Sequence, residues 1–282
     1  MPDDTRGMRM RKTGLYIEAR IHASLDDLWA RTQDPSLHQR WDLRFTEITY
    51  LPRAEGEPQR FRYATRVLPF LAVAGTGVSA GERERPDGTR TSALRFSSPS
   101  RLSLLAEGSG YWRYVPDGDG VRDGARGEVR FLTGYDYRPR WGVFGAVADR
   151  VLFRPLMGWA TAWSFDRLRL WLERGIAPER ARRNWLVELA VRALAIVVAC
   201  TGFGYGGLLR LTGPFAPLFF YATPLLTLVL LSLALLAPPL PTTPAARRCL
   251  RTPPARTRAP RLLGTLGGLG ALDGLDNLEG TR

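Results

Sequence analysis

Two histidines, His22 and His38, and two cysteines, Cys200 and Cys249, are the only imidazole and thiol groups in the chain. A four-cysteine zinc module and a disulfide framework are therefore excluded, and neither a metal site nor a cofactor is expected. Gly77-Val78-Ser79-Ala80-Gly81 matches the G-x-S-x-G pattern of a hydrolase nucleophile. That nucleophile needs a helix after it and a histidine later in the chain. Here Glu82–Gly88 reads as a hairpin tip and both histidines come earlier, so Ser79 is read as a strand serine. Gly202-Phe203-Gly204-Tyr205-Gly206-Gly207 matches a dinucleotide fingerprint by letter, with no strand before it and no acid until Asp273. The Gly202 to Gly206 spacing instead suits close packing of apolar helices, a face for a membrane-protein partner. His22 ends a strand and His38 sits beside Arg40 and Trp41, and each is read as structural or solvated. No catalytic residue is assigned.

The aromatic residues are better placed for function. Trp112, Tyr114, Tyr135, Tyr137, Trp159, Trp163 and Trp171 fall on what read as the last two strands and a long helix. Rings on such elements either pack a core or line an apolar pocket, and both uses take the same residue types. With one strand parity inward, Trp112 and Tyr114 share a face with Phe131, Thr133 and Tyr135. Trp159 and Trp163, at i and i+4, share a helix face that could close over them. These seven residues are the expected ligand contacts, with Trp112 and Trp159 foremost. Tyr111, Arg113, Tyr135 and Tyr137 could supply a proton or hold an oxyanion, but only one parity can face inward.

These positions depend on the elements that carry them. Leu15–His22 alternates as a strand does, and Ser24 caps a short helix from Leu25, with Asp26 and Asp27 in its first turn. Pro35–Trp41 reads as a further helical turn. Phe45–Leu51, Gln59–Val67, Ala72–Ala80, Thr89–Phe96, Leu102–Tyr114 and Glu128–Tyr137 read as strands joined by Pro-, Asp- and Gly-rich turns. Helical spacing then runs to Arg174, with Pro155 starting or kinking a helix and Gly175 capping it. This order predicts an α+β domain in which a curved antiparallel sheet of about seven strands closes around a long C-terminal helix, leaving a cavity between them.

Lys+Arg exceed Asp+Glu by 40 to 27, yet Lys12 is the only lysine, which points to GC-rich coding and away from a nucleic-acid partner. After a polar linker, 176–185, composition changes abruptly. Leu186–Leu209 and Phe215–Ala237 read as two transmembrane helices joined at Arg210–Pro214, with Glu188 and Arg192 near the start of the first. Arginines crowd both flanks of this hairpin while only Arg210 lies in its turn, so both flanks are expected in the cytoplasm of a multi-pass cell-membrane protein. The first residues carry charge and no apolar run, so no secretory signal is expected. The expected organisation is a polar tail at 1–14, the α+β domain at 15–175, the linker, the hairpin at 186–237, and a tail at 238–282. That tail is Pro/Arg-rich and then Gly/Leu-rich, and is expected to be disordered.

Residues 15–50, with an alternating strand, Leu28-Trp29, Asp34-Pro35, His38 and Arg40-Trp41, resemble the opening of the START-like superfamily of polyketide cyclases/dehydrases and lipid-transport domains. The segments FLTGYDYRPRW and RLRLWLERG are similar to its last strand and C-terminal helix. The resemblance implies a helix-grip fold enclosing a hydrophobic cavity. Together with the membrane hairpin, in which the chain departs from the small soluble cyclases, it implies membrane-anchored binding or transport of a lipid-like or other hydrophobic small molecule. The alternative is a polyketide cyclase/dehydrase-like enzyme acting on a membrane-soluble substrate.

Overall fold

The alternating segment forms strand β1 (Leu15–His22), and the Ser24 hydroxyl accepts the Asp27 N–H at 3.1 Å to start α1 (Leu25–Gln33). Asp34 caps α2 (Pro35–Trp41) by accepting from Ser36, with Pro35 in the first turn, where its missing N–H costs nothing. The computed structural model describes residues 14–68, 71–100, 103–117, 127–209 and 216–253. The leucine-rich end of the chain, Leu266 to Leu278, lies outside them.

Six further strands follow: β2 (Glu47–Tyr50), β3 (Arg60–Leu68), β4 (Leu71–Glu84), β5 (Arg90–Ser97), β6 (Leu105–Asp117) and β7 (Glu128–Pro139). They form one antiparallel sheet of seven strands in the order β1-β7-β6-β5-β4-β3-β2. β4 outruns its sequence pattern because a bulge between Ser79 and Gly81, with Gly81 at φ 113°, re-registers the strand instead of ending it. The segment from Glu82 read as a hairpin tip therefore narrows to Arg85–Gly88.

After β7 come α3 (Gly142–Ala148), one π turn (Asp149–Phe153) and α4 (Arg154–Arg174). Pro155 stands in the first turn of α4, and Gly175 ends it at φ 63°. α4 crosses the inner face of the sheet: Phe165 stacks on Phe131 with centroids 4.4 Å apart and meets Trp41 at 6.2 Å. Sheet and long helix together make a helix-grip fold. Register assigns the inner face. Trp112 pairs with Thr133, Tyr114 with Phe131, and Ile17 with Thr133, so these side chains share one side, while Tyr111 and Arg113 turn to the other.

The chain divides into two compact units, the second being Ile176–Ala245. It holds α5 (Pro178–Leu209) and α6 (Ala216–Leu236). The stretch expected as a linker is thus helical, since Pro178 starts α5 and Glu179 favours its first turn. Pro178–Phe203 is long and apolar enough to cross a membrane, and Ala222–Leu236 is a shorter apolar helix. Arg192 pairs with Glu188 at 2.6 Å and donates to the carbonyls of Ala234, Ala237 and Pro238, while Glu188 accepts the Leu240 N–H at 3.1 Å. Arg192 thus satisfies orphan carbonyls at the end of α6, and Glu188 holds Arg192 in place.

From Ala246 the chain belongs to the helix-grip unit again. Where the Pro/Arg-rich composition reads as disorder, a 3₁₀ turn (Ala246–Arg248) leads into a strap against β1 and α4. Leu250 exchanges both backbone hydrogen bonds with Glu18 at 2.9 Å, Arg248 pairs with the buried Asp166 at 2.8 Å, and the Cys249 thiol donates to the Ala162 carbonyl. Burial pushes that thiol up to about 12, so it stays protonated.

Candidate functional site

The inner face of the sheet has a sealed half and a half-open one. On β6 and β7, Trp112, Tyr114, Phe131, Thr133 and Tyr135 are all buried. Tyr114 shares its hydroxyl with Thr32 at 2.6 Å and Gln33 at 2.9 Å, and Tyr135 meets Thr161 of α4 at 3.0 Å. Tyr137 donates to Asp149, which also holds Arg154 at 3.1 Å.

Toward β2–β5 the aromatic surface continues but its cover thins. Phe45, Phe61, Tyr63 and Phe96 are only partly buried. A Cβ on Gly77 would lie 2.2 Å from the Phe61 ring, on Gly75 2.4 Å from Tyr63, and on Gly108 2.5 Å from Phe96. These three rings therefore lie flat on bare backbone of the neighbouring strand, and a side chain there would lift them. Ring contacts link Tyr50 to Phe61 at 6.4 Å, Phe61 to Tyr63 at 6.5 Å, Tyr63 to Phe45 at 5.6 Å and Phe45 to His38 at 5.4 Å. Burial pushes the Tyr63 phenol up to about 12, so the track is uncharged.

Its inner end is polar. His38 Nε2 lies 3.0 Å from Asp42, whose side chain has no exposed surface, and Arg44 donates to both carboxylate oxygens at 2.9 and 2.6 Å. The His38 ring stacks on Trp41 at 4.9 Å and meets Trp112 edge-on at 4.8 Å. The Arg44 guanidinium sits 5.6 Å from the Tyr135 ring centroid. Burial alone would raise the Asp42 carboxyl, but the Arg44 charge and the hydrogen bonds from His38 and Arg44 outweigh it and hold Asp42 well below the usual carboxylate range. An ionised carboxylate only accepts, so Nε2 carries the hydrogen and Nδ1 presents a lone pair. Among the described residues no hydrogen bond reaches Nδ1.

Burial lowers the His38 imidazole, and Asp42 offsets this only in part. Unfolded, His38 takes a proton near pH 6.5, as an ordinary imidazole does; folded, it does so only at lower pH. Between these values the unfolded chain binds more protons, so stability present above about pH 6.5 falls as pH drops toward the folded pKa. Melting the full chain from about pH 7.5 to 5 should show a falling Tm in the wild type and a flatter profile in His38→Gln. A flat wild-type profile would contradict this.

The structure brings Trp112, Tyr114, Phe131, Thr133 and Tyr135 onto one face, as strand alternation predicts. Trp159 and Trp163 do stack, at 6.3 Å, with Arg167 over the Trp163 ring. They do not close over Trp112, however. Thr161 and Phe165 are the α4 residues that meet Tyr135 and Phe131 of β7, and Trp163 lies about 200° round the helix from each at 100° per residue. Of the four expected proton-handling residues, Tyr111 packs with Tyr16 and Leu132 on the outer face, and Arg113 shares its parity, leaving Tyr135 and Tyr137 inward. His22 is exposed between Glu128 and Glu173.

No family model matches the chain. Over 178 residues it is 46% identical to the uncharacterized membrane protein YndG of Bacillus subtilis (strain 168). The match covers 63% of this chain and 64% of that protein, less than two thirds of its length. Among solved structures it is similar to a STAR-related lipid transfer protein fragment from Xanthomonas axonopodis. The TM-score is 0.41 and the identity 18%, over 57% of this chain and 86% of that one. It is also similar to the di-domain ARO/CYC protein StfQ of the steffimycin biosynthetic pathway. There the TM-score is 0.39 and the identity 18%, over 60% of this chain and 52% of that one.

Sequence reasoning passed over Asp42, Arg44, Phe45, Phe61 and Tyr63. Two signals were present. Asp42 and Arg44 sit between two aromatic residues, Trp41 and Phe45, and the G-x-G pairs Gly75/Gly77 and Gly108/Gly110 repeat at the strand period, baring one face for rings to lie on.

Proposed function

We propose that this chain binds or transports a lipid-like or other hydrophobic small molecule in its helix-grip unit while anchored in a membrane. The observation that carries this is the aromatic track that starts at the exposed Tyr50, runs through the partly buried Phe61, Tyr63 and Phe45, and ends at one oriented polar group, His38. A mostly apolar surface with few polar atoms is what such ligands require. Solvent extraction and mass spectrometry of the full chain purified in detergent should recover one apolar species in near-stoichiometric amount, depleted from Tyr63→Ala. Repeated recovery of none would sink the reading.

Two spans are the proposed anchor. Both ends of Ile176–Ala245 join the same unit, which supports an even number of crossings. The arginine asymmetry favours both ends in the cytoplasm. Reporters placed after Gly175, at Thr212 and after Pro253 should read inside, outside, inside; any other pattern rejects the hairpin. The Gly202/Gly206 face remains the proposed contact for a membrane-protein partner.

His38 also favours a second reading, a cyclase/dehydrase-like enzyme on a membrane-soluble substrate. A neutral imidazole oriented by a carboxylate can take a proton from carbon, and Arg44 lies beside it to meet developing negative charge. Loss of turnover in His38→Gln with the bound species retained would separate catalysis from carriage.

A further inference from the structure

We infer that His38 Nδ1 is a hydrogen-bond acceptor that selects apolar ligands bearing a hydroxyl group, an alcohol or phenol, over the same skeleton without one. This rests on the reading of the aromatic track as a ligand surface and adds the ligand's chemical class.

The argument is one of donors and acceptors. Asp42 is saturated: its oxygens take His38 Nε2 at 3.0 Å, Arg44 Nε at 2.9 Å, Arg44 Nη2 at 2.6 Å and the Arg44 backbone N–H at 3.0 Å. It cannot serve a ligand without giving up a partner. Nδ1 is the group left over, on a ring that keeps 11% of its side-chain surface and is walled by Trp41, Phe45 and Trp112. Those walls are carbon surfaces that offer the ligand area but no acceptor aimed at its polar end. A lone acceptor in such surroundings rewards a donor and discriminates against a ligand that leaves it bare. Asp42 fixes which nitrogen carries the hydrogen, and Arg44 keeps Asp42 ionised. The three side chains together hold one lone pair in place.

The test uses the full chain in lipid nanodiscs, with 2-naphthol and its methyl ether, 2-methoxynaphthalene, titrated by calorimetry against empty nanodiscs as the blank. The wild type should bind the naphthol about tenfold tighter, the factor expected when a partly buried acceptor is paired in one complex and bare in the other. His38→Phe keeps a ring between Trp41, Phe45 and Trp112 and carries no acceptor, while Asp42 keeps its three hydrogen bonds from Arg44. It should bind the two probes equally. Equal binding by the wild type, or a preference that survives in His38→Phe, overturns the inference while leaving the apolar track standing. Failure of the wild type to bind either probe above the blank overturns the track reading and this inference with it.

Discussion

Replacing Arg44 by alanine should cost the helix-grip unit about 3–5 kcal/mol, the range for stripping one partner from a buried ion pair. Asp42 has no side-chain exposure and would be left with His38 and one backbone N–H to support its charge. The Tm should fall by on the order of 10 °C. Adding Asp42→Asn removes the stranded charge, so the double variant should recover at least about 1 kcal/mol of that loss. Contrast Arg31–Asp27 on α1, where Asp27 is 62% exposed. Solvent screens that pair, and breaking it should change stability by less than about 1 kcal/mol. Equal small losses at both pairs would mean that water reaches Asp42 and that the polar end of the track is open.

The second large effect is at Phe131. It has no exposed surface and lies between Trp112, Tyr114 and Phe165. Truncation to alanine should cost about 3–5 kcal/mol through lost transfer energy and the cavity left behind. Tyr63→Ala should cost less than half as much, because the ring is partly exposed and rests on Gly75, yet it should reduce ligand recovery more. Melts and extraction on the same two proteins separate core from contact surface. A ligand loss that simply tracks stability in both would remove the track from consideration.

The strands and their facing were legible because alternation survives wherever one face of a sheet is buried, and it put Trp112, Tyr114, Phe131, Thr133 and Tyr135 on their shared face; the pairing of β1 with β7 was not. What alternation does not carry is how far α4 extends over that face. The seven residues chosen from aromatic content therefore fell mainly in the sealed half, while the partly covered rings sit on β2–β5. Trp159 and Trp163 show a second limit: spacing of four gives a common face but not which neighbour that face meets. Asp42 and Arg44 were invisible for a different reason. Charges in a short connection after a helix read as solvated, and only tertiary cover turns them into a buried pair. Arg248 is the extreme case, since its partner Asp166 lies 82 residues away and nothing in the Pro/Arg-rich composition points to it.

The strap also sets a schedule for biosynthesis. The residues that finish the helix-grip unit are translated only after the roughly 70-residue insert that carries α5 and α6, a delay of about 4–14 s at ordinary ribosomal rates. During that interval the outer edge of β1 has no partner in Leu250, and Asp166 lacks its ion pair with Arg248. A nascent chain in this state presents an unpaired strand edge, the feature most prone to pairing with another chain. On the proposed hairpin, delivery of α5 and α6 to the bilayer precedes closure of the domain that they interrupt, and a chain stalled at insertion is left with an open edge.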